Sequence, residues 1–144
     1  MFKKILVPTD GSALAAKASA SAVQMAQVHG AQVVGVYVID PFPYIGIGDA
    51  SAVGLQAYLT EAKTAATQAL DALGKICTAA GVAFAGDTIE RNVVYEGILE
   101  TCDAEACDLI VMGSHGRQGV KALILGSVAQ KVLTHAKVPV LVVK

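Results

Sequence analysis

Charge is scarce in this chain of 144 residues: twelve acidic side chains stand against eleven basic ones, for a formal net charge of −1. With no basic excess, the chain lacks the electrostatic footprint of a nucleic-acid binder. No apolar run approaches the ~20 residues that span a bilayer, so no membrane partner is expected. The first residues run straight into an expected strand, which argues against a signal peptide and for the cytoplasm. Cysteine is limited to Cys77, Cys102 and Cys107. An odd count with no Cys-x-x-Cys pair excludes a disulfide framework and a structural zinc site. Cys102 and Cys107, five apart, fall on different faces if one continuous helix carries both. All three read as inert thiols that behave as small apolar residues. There is no internal repeat and no linker. The length suits one domain over residues 1–144, and a hydrophobic fraction of 54%, much of it Ala and Val, suffices for a core.

Several chemical signatures are also missing. A Walker loop needs Gly-Lys-Ser/Thr after four spacer residues, and none occurs. Gly46-x-Gly48 lacks the third glycine of a dinucleotide fingerprint, with Ser51 in its place, and opens no capped helix straight after a strand. Gly113-Ser114-His115-Gly116 resembles a nucleophile elbow, but that motif is Gly-x-Ser-x-Gly and the serine is one position off. A Ser-His-Asp hydrolase could still be drawn from Ser114, His115 and Asp10, because triads are defined by geometry. No carboxylate cluster argues for a metal held by the protein.

What is present is an alternation of strands and helices. Lys3 to Pro8 is an expected strand whose contiguous Ile5, Leu6 and Val7 suit a central parallel position. Ser12 or Asp10 can cap the helix that follows, with Leu14, Ala18, Ala22, Met25 and Ala26 on one face and Gly30 at its end. Gln32 to Ile39 is a second strand, broken by Asp40-Pro41. Residues 40–54, rich in Pro and Gly, read as a loop overhanging the site, with Tyr44-Ile45 as a lid or contact patch. A long helix to Ala80 carries Leu55, Leu59, Ala62, Ala66, Ala69, Leu73 and Ile76 at helical spacing, and Gly81 closes it. Val82 to Ile89 is a third strand. Val94 to Ala106 is a helix with Ile98, Leu99, Cys102 and Ala106 inward. A fourth strand, a final helix to about Ala136 and a strand from Pro139 to Val143 complete the chain. This is an α/β fold with an open five-stranded parallel sheet and helices on both faces, Rossmann-like.

The stretch from Asp108 to Val128, DLIVMGSHGRQGVKALILGSV, organises the rest. Leu109 to Met112 is an apolar strand. Gly113 and Gly116 follow, with two residues between them, then nine residues, then Gly126 and Ser127. From Val128 the apolar spacing turns helical. Glycines permit tight turns and close backbone approach, Ser127 can cap the helix, and free amides at a helix start favour an anion. The loop suits a phosphate, and Arg117 and Lys121 could screen phosphate charge. Asp10, directly after the first strand, has two readings: a helix cap, or an acceptor for ribose hydroxyls. If both loops touch one ligand, the first and fourth strands are neighbours and the sheet order is 3-2-1-4-5.

The spacing Gly113, two residues, Gly116, nine residues, Gly126, Ser127, together with KKILVPTDGS at the start and VPVLVVK at the finish, resembles the universal stress protein family over essentially the whole chain. The resemblance implies the same strand order and an ATP-binding member. It assigns Pro8, Thr9 and Asp10 to the nucleoside, Val38 to the adenine wall, and Met112 to a place near the nucleoside. Gly113, Ser114, His115, Gly116, Gly126, Ser127 and Val128 then face the phosphates, largely through their backbone. His115 reads as a neutral surface imidazole rather than a general base. The expected ligand is ATP, with ADP or AMP not separable from it and Mg²⁺ accompanying a triphosphate. Hydrolysis is expected to be slow or absent. The contrasting reading is an interaction module whose nucleotide site is vestigial or holds another small ligand. The apolar last strand lies at a sheet edge, and the resemblance implies a homodimer paired through it.

Overall fold

The computed structural model describes residues 1–41, 52–116 and 125–144. Within them lie strands β1 (Lys4–Pro8), β2 (Gln32–Ile39), β3 (Phe84–Glu90), β4 (Leu109–Gly113) and β5 (Val140–Val143). The helices are α1 (Ala13–His29), α2 (Ala52–Ala79), α3 (Val94–Ala104) and α4 (Ser127–His135). The five strands form one sheet in the order β3-β2-β1-β4-β5, with every pair parallel. That is the expected order.

The contiguous apolar runs are explained by burial on both faces, since Ile5, Leu6 and Val7 are all fully buried. Odd-numbered strand residues Ile5, Val7, Val33, Leu109 and Val111 pack with Ala18, Ala22 and Val23 of α1 and Leu73 and Cys77 of α2. Even-numbered Leu6, Val34, Val36, Ile110 and Met112 pack with Ile98 and Cys102 of α3 and Ala129 and Val132 of α4. Each face therefore carries one pair of helices, and the alternation of the strands sorts them.

Helix faces depart from the simple apolar stripe. In α1 the buried residues are Ala15, Ala18, Ser19, Ala22, Val23 and Ala26, while Leu14 and Met25 are only half-buried. Small side chains let this helix lie close to the sheet, and the Ser19 hydroxyl donates to the Ala15 carbonyl at 2.9 Å. In α2 the fully inward positions are Ala66, Leu70, Leu73 and Cys77, and Ile76 is 39% exposed. Of the residues expected inward on α3, Leu99 is partly buried against the core cluster and Ala106 is exposed. The helix stops at Ala104, and Ala106 takes a left-handed φ of 53°. The amide of Cys107 then donates back to the Cys102 carbonyl at 2.9 Å, the hydrogen bond that closes a helix C-terminus. Cys107 is thus off the helix and in the same core cluster as Cys102. Burial pushes the Cys102 thiol up to about 11 and the Cys107 thiol up to about 12, and raises Cys77 as well. The third strand begins at Phe84 rather than Val82, because the Val82 amide is held by the Cys77 carbonyl beyond left-handed Gly81.

The corrected face of α2 gives a test. Leu73→Ala removes a 2%-exposed side chain and should cost about 2–5 kcal/mol. Ile76→Ala should cost about 1 kcal/mol or less. Urea denaturation of both variants measures the contrast.

Candidate functional site

The β1–β4 pairing, with Ile5 opposite Leu109 and Leu6 opposite Ile110, places the loops after both strands side by side at one end of the sheet. This is where strand order reverses. In open α/β sheets the crevice beyond the strand C-termini at that point takes ligands.

The first loop is tied in at each residue. The Thr9 amide donates to the Val36 carbonyl of β2 at 2.9 Å. Asp10 Oδ1 accepts from the Ser12 amide at 2.9 Å, and Thr9 Oγ1 accepts from the Gly11 amide at 3.2 Å. Gly11 has φ 78°, a conformation that strongly favours glycine. Ser12 is the cap of α1, accepting from the Ala15 amide at 3.2 Å. The open choice between Ser12 and Asp10 as cap is thereby resolved: Asp10 shapes the turn that delivers the cap.

The second loop is packed onto the first. A Cβ on Gly116 would stand 2.6 Å from Asp10 Oδ2. One on Gly113 would meet the backbone of Leu14 at 3.2 Å, and one on Gly126 the Ser114 carbonyl oxygen at 3.0 Å. None of these three glycines has a positive φ. Each of them lies in close approach to other protein atoms. The Gly126 amide donates to the Ser114 carbonyl at 2.7 Å, and the Ser114 amide to the Val143 carbonyl at 2.9 Å. These bonds join β4, β5 and the start of α4 at one point.

Ser127 does not cap α4. Gly126 occupies the cap position, with φ −72° and ψ 162° and no side-chain hydrogen bond, and Ser127 is the first helical residue. The first-turn amides of α4 therefore keep their unsatisfied donors, which favour negative charge. His115 also differs from a solvated surface imidazole. Its Nδ1 lies 3.1 Å from Ser114 Oγ, and its Nε2 is buried with no hydrogen-bond partner among the described residues. Ser114 is only 2% exposed, so its hydroxyl is not presented as a nucleophile.

The structure thus sets Asp10 against Gly116, and Ser114 and His115 against Gly126, with Gly113 against α1 and Ser127 at the helix start. Pro8 ends β1, half-buried and paired with Val36. Val38, Met112 and Val128 belong to the apolar cluster on the α3 and α4 face, at the same end of the sheet. Gly97 of α3 was not singled out by the sequence, yet a Cβ there would meet Val38 Cγ1 at 3.1 Å. Gly11 was equally missed, although Asp-Gly is a recognisable turn signal. Arg117, Lys121 and Tyr44-Ile45 lie outside the described residues. Two open depressions, of about 630 and 550 Å³, lie elsewhere: between α2 and β3, and at the opposite end of the sheet around Lys3 and Gly30. Neither includes a residue of these loops. Among the described residues no group of three His, Cys, Asp or Glu side chains could hold a metal ion, and no helix is long and apolar enough to cross a membrane.

Fold and loops together define a doubly wound α/β domain with its candidate ligand crevice at the switch point of the sheet. The chain belongs to the universal stress protein family, whose sequence model matches residues 1–144. Universal stress protein MJ0531 of Methanocaldococcus jannaschii is 36% identical over 145 residues, spanning 100% of this chain and 83% of the relative. The solved structure of MJ0577 from the same organism superposes with a TM-score of 0.86 at 28% identity, covering 100% of this chain and 96% of that one. The universal stress protein from Archaeoglobus fulgidus in complex with dAMP shares the fold, with a TM-score of 0.68 at 24% identity over 99% of this chain and 98% of that one.

Contact between the loops predicts coupling. Gly116→Ala should displace the Asp10 carboxylate and so shift the amide resonances of Gly11 and Ser12, far more than those of Ala80 or Gly81 at the opposite end. An amide NMR spectrum of the variant checks this.

Proposed function

We propose that this chain binds an adenine nucleotide, ATP or its ADP or AMP relatives, and hydrolyses ATP slowly or not at all. The observation that carries the reading is the meeting of a carboxylate, Asp10, with an uncapped helix start at Gly126 across a glycine-lined loop. The two ends supply what a nucleotide presents: ribose hydroxyls to be accepted, and phosphate oxygens to be given donors. On this reading Asp10, with Pro8 and Thr9, holds the nucleoside, and Val38 and Met112 flank the base. Gly113, Ser114, His115, Gly116, Gly126, Ser127 and Val128 line the phosphates, mainly through their backbone. Mg²⁺ would arrive with the triphosphate. The dAMP complex of the A. fulgidus protein supports the compatibility of the fold with such a ligand; the assignment of individual residues is what the family resemblance implies.

A second reading has an observation of its own. Gly113, Gly116 and Gly126 each have a packing reason that involves protein atoms alone. An interaction module with a vestigial or different small-ligand site would keep the same loop. Calorimetric titration with ATP and adenosine separates the two. Asp10→Ala should weaken both ligands. Gly126→Val should weaken ATP far more than adenosine, and retained adenosine binding reports an intact fold. If Gly126→Val binds ATP as the wild type does, the interaction-module reading stands. Turnover of ~1–10³ per second would contradict slow hydrolysis.

The proposal extends to a single domain over residues 1–144, acting in stress response in the cytoplasm as a homodimer. What supports dimerisation is the outer side of β5. The strand pairs with β4 on one side and with no described strand on the other, and Leu141 is 38% exposed. An apolar edge of this kind is an aggregation hazard unless paired. Val143 packs against the core cluster of Ile5 and Val111, so its substitution would damage the core. Leu141→Lys is the cleaner test. By sedimentation at micromolar concentration the wild type should be a dimer and Leu141→Lys a monomer; a monomeric wild type sinks the idea.

A further inference from the structure

We propose that the outer edge of β3 is a docking site for an extended segment of a partner protein, one that alternates apolar and basic side chains and adds to the sheet as a further strand. This edge lies beyond β2, at the side of the sheet away from β4 and β5. Neither the nucleotide reading nor its failure bears on it.

Strand β3 pairs with β2 and with no other described strand. At one end of their ladder the Val33 amide donates to the Ala83 carbonyl at 2.9 Å, and at the other the Arg91 amide donates to the Ile39 carbonyl at 3.0 Å. Odd-numbered residues between these bonds therefore turn their amides and carbonyls toward β2, and Phe84, Gly86, Thr88 and Glu90 turn theirs outward. The Glu90 carbonyl is taken by Arg91 Nη1 at 2.7 Å. The others form a row of backbone donors and acceptors with no partner strand among the described residues. Such edges are usually guarded by lysine, proline, a bulge or shortness. This strand has seven residues, FAGDTIE, with neither lysine nor proline, and its register with β2 is unbroken from Phe84 to Glu90. Ala85 and Gly86 are small and exposed, so its middle is bare.

The two faces beside the edge set what an added strand must carry. Even-numbered side chains lie on the α2 face, where the open depression of about 630 Å³ runs between β3 and α2. Leu70, Gly74, Ala79, Val82 and Phe84 give it an apolar lining, and the charges of Asp71 and Lys75 on it cancel. Cβ atoms on Gly74 and Gly86 would each stand 3.0 Å from the Phe84 ring, so glycine at both places leaves room for it. Odd-numbered Ala85 and Asp87 lie on the α3 face and are exposed. Of the two charges on β3, Glu90 is bridged to Lys63 at 3.7 Å, and Asp87 has no ion-pair partner among the described residues. A residue opposite Gly86 or Thr88 therefore lies on the side of the depression and is apolar. Its neighbour, opposite Asp87, is basic. In strand addition the main-chain hydrogen bonds supply affinity and the alternate side chains supply selectivity. A second copy of β3 fits poorly, because antiparallel pairing centred on Asp87 would set two carboxylates directly opposite each other.

The test uses the full chain and three synthetic heptapeptides that alternate lysine with valine, glutamate with valine, and lysine with serine. Amide hydrogen exchange, followed by NMR as the lysine–valine peptide is added, should slow at Gly86 and Thr88 far more than at Ala85 and Asp87, whose amides β2 already holds. The other two peptides should bind roughly fivefold more weakly or worse, the scale of one cross-strand pair. Asp87→Lys, at an exposed position, should reverse the charge preference and take the glutamate–valine peptide over the lysine–valine one. Thr88→Pro removes an outward amide and leaves the β2 ladder whole, so it should weaken the lysine–valine peptide roughly fivefold, as for one hydrogen bond. Unchanged amide resonances in α1 report that each variant is folded. Equal slowing at even and odd positions, slowing at β5 alone, or none at millimolar peptide overturns the proposal. So does one affinity for all three peptides. The same odd–even pattern arising with protein concentration alone would give the edge to a second copy and overturn it too.

Discussion

Pairing of β1 with β4 is the constraint on which the rest depends. These strands are 104 residues apart where the Asp108 carboxylate accepts the Lys4 amide at 3.0 Å, and it also accepts the Lys3 amide at 2.8 Å. That carboxylate starts the ladder at one end, and Lys4 Nζ adds a bond to the Glu105 carbonyl. At the other end the same ladder delivers two loops to one point. A register slip of one residue would turn Ile5 and Val7 to the opposite face and separate Asp10 from Gly116. The close register of the site is thus a by-product of burial along the strands, which strongly specifies it.

Two consequences follow for the loops. Their glycines are spacing devices between pieces of backbone and side chain, and a ligand is not needed to explain them. They also leave an unusual polar remainder: an uncapped helix start, and an imidazole nitrogen with no partner. In a well-packed interior such groups are normally satisfied. Both lie in the loop region after β4, beside the loop that follows β1.

The cysteines and the cores show the opposite logic. Cys77, Cys102 and Cys107 lie buried among aliphatic groups, and desolvation keeps their thiols protonated at neutral pH. One face of the sheet is covered by the alanine-rich helices α1 and α2, where α1 substitutes closeness for bulk. On the outer strand β5, Leu141 stays 38% exposed.

Local patterns were enough to read five strands, four helices and their succession along the chain, because apolar runs of strand length and helix stops such as Gly30 have few alternative meanings; the strand order in the sheet came from the resemblance and from supposing that both loops touch one ligand. The spaced glycines of the β4 loop were legible for the same reason. What local pattern could not carry was contact across the chain. Ser127 as cap or first helical residue depends on the angle at which α4 starts, and the place of Gly116 beside Asp10 on a partner remote in sequence. The inward face of α2 was likewise misread by one position at Ile76, since helical spacing gives the stripe and not its centre. The buried Nε2 of His115 belongs to the same class. A histidine between Ser114 and Gly116 looks solvated in the sequence, and only tertiary packing could bury its Nε2 and set its ring beside Gly126.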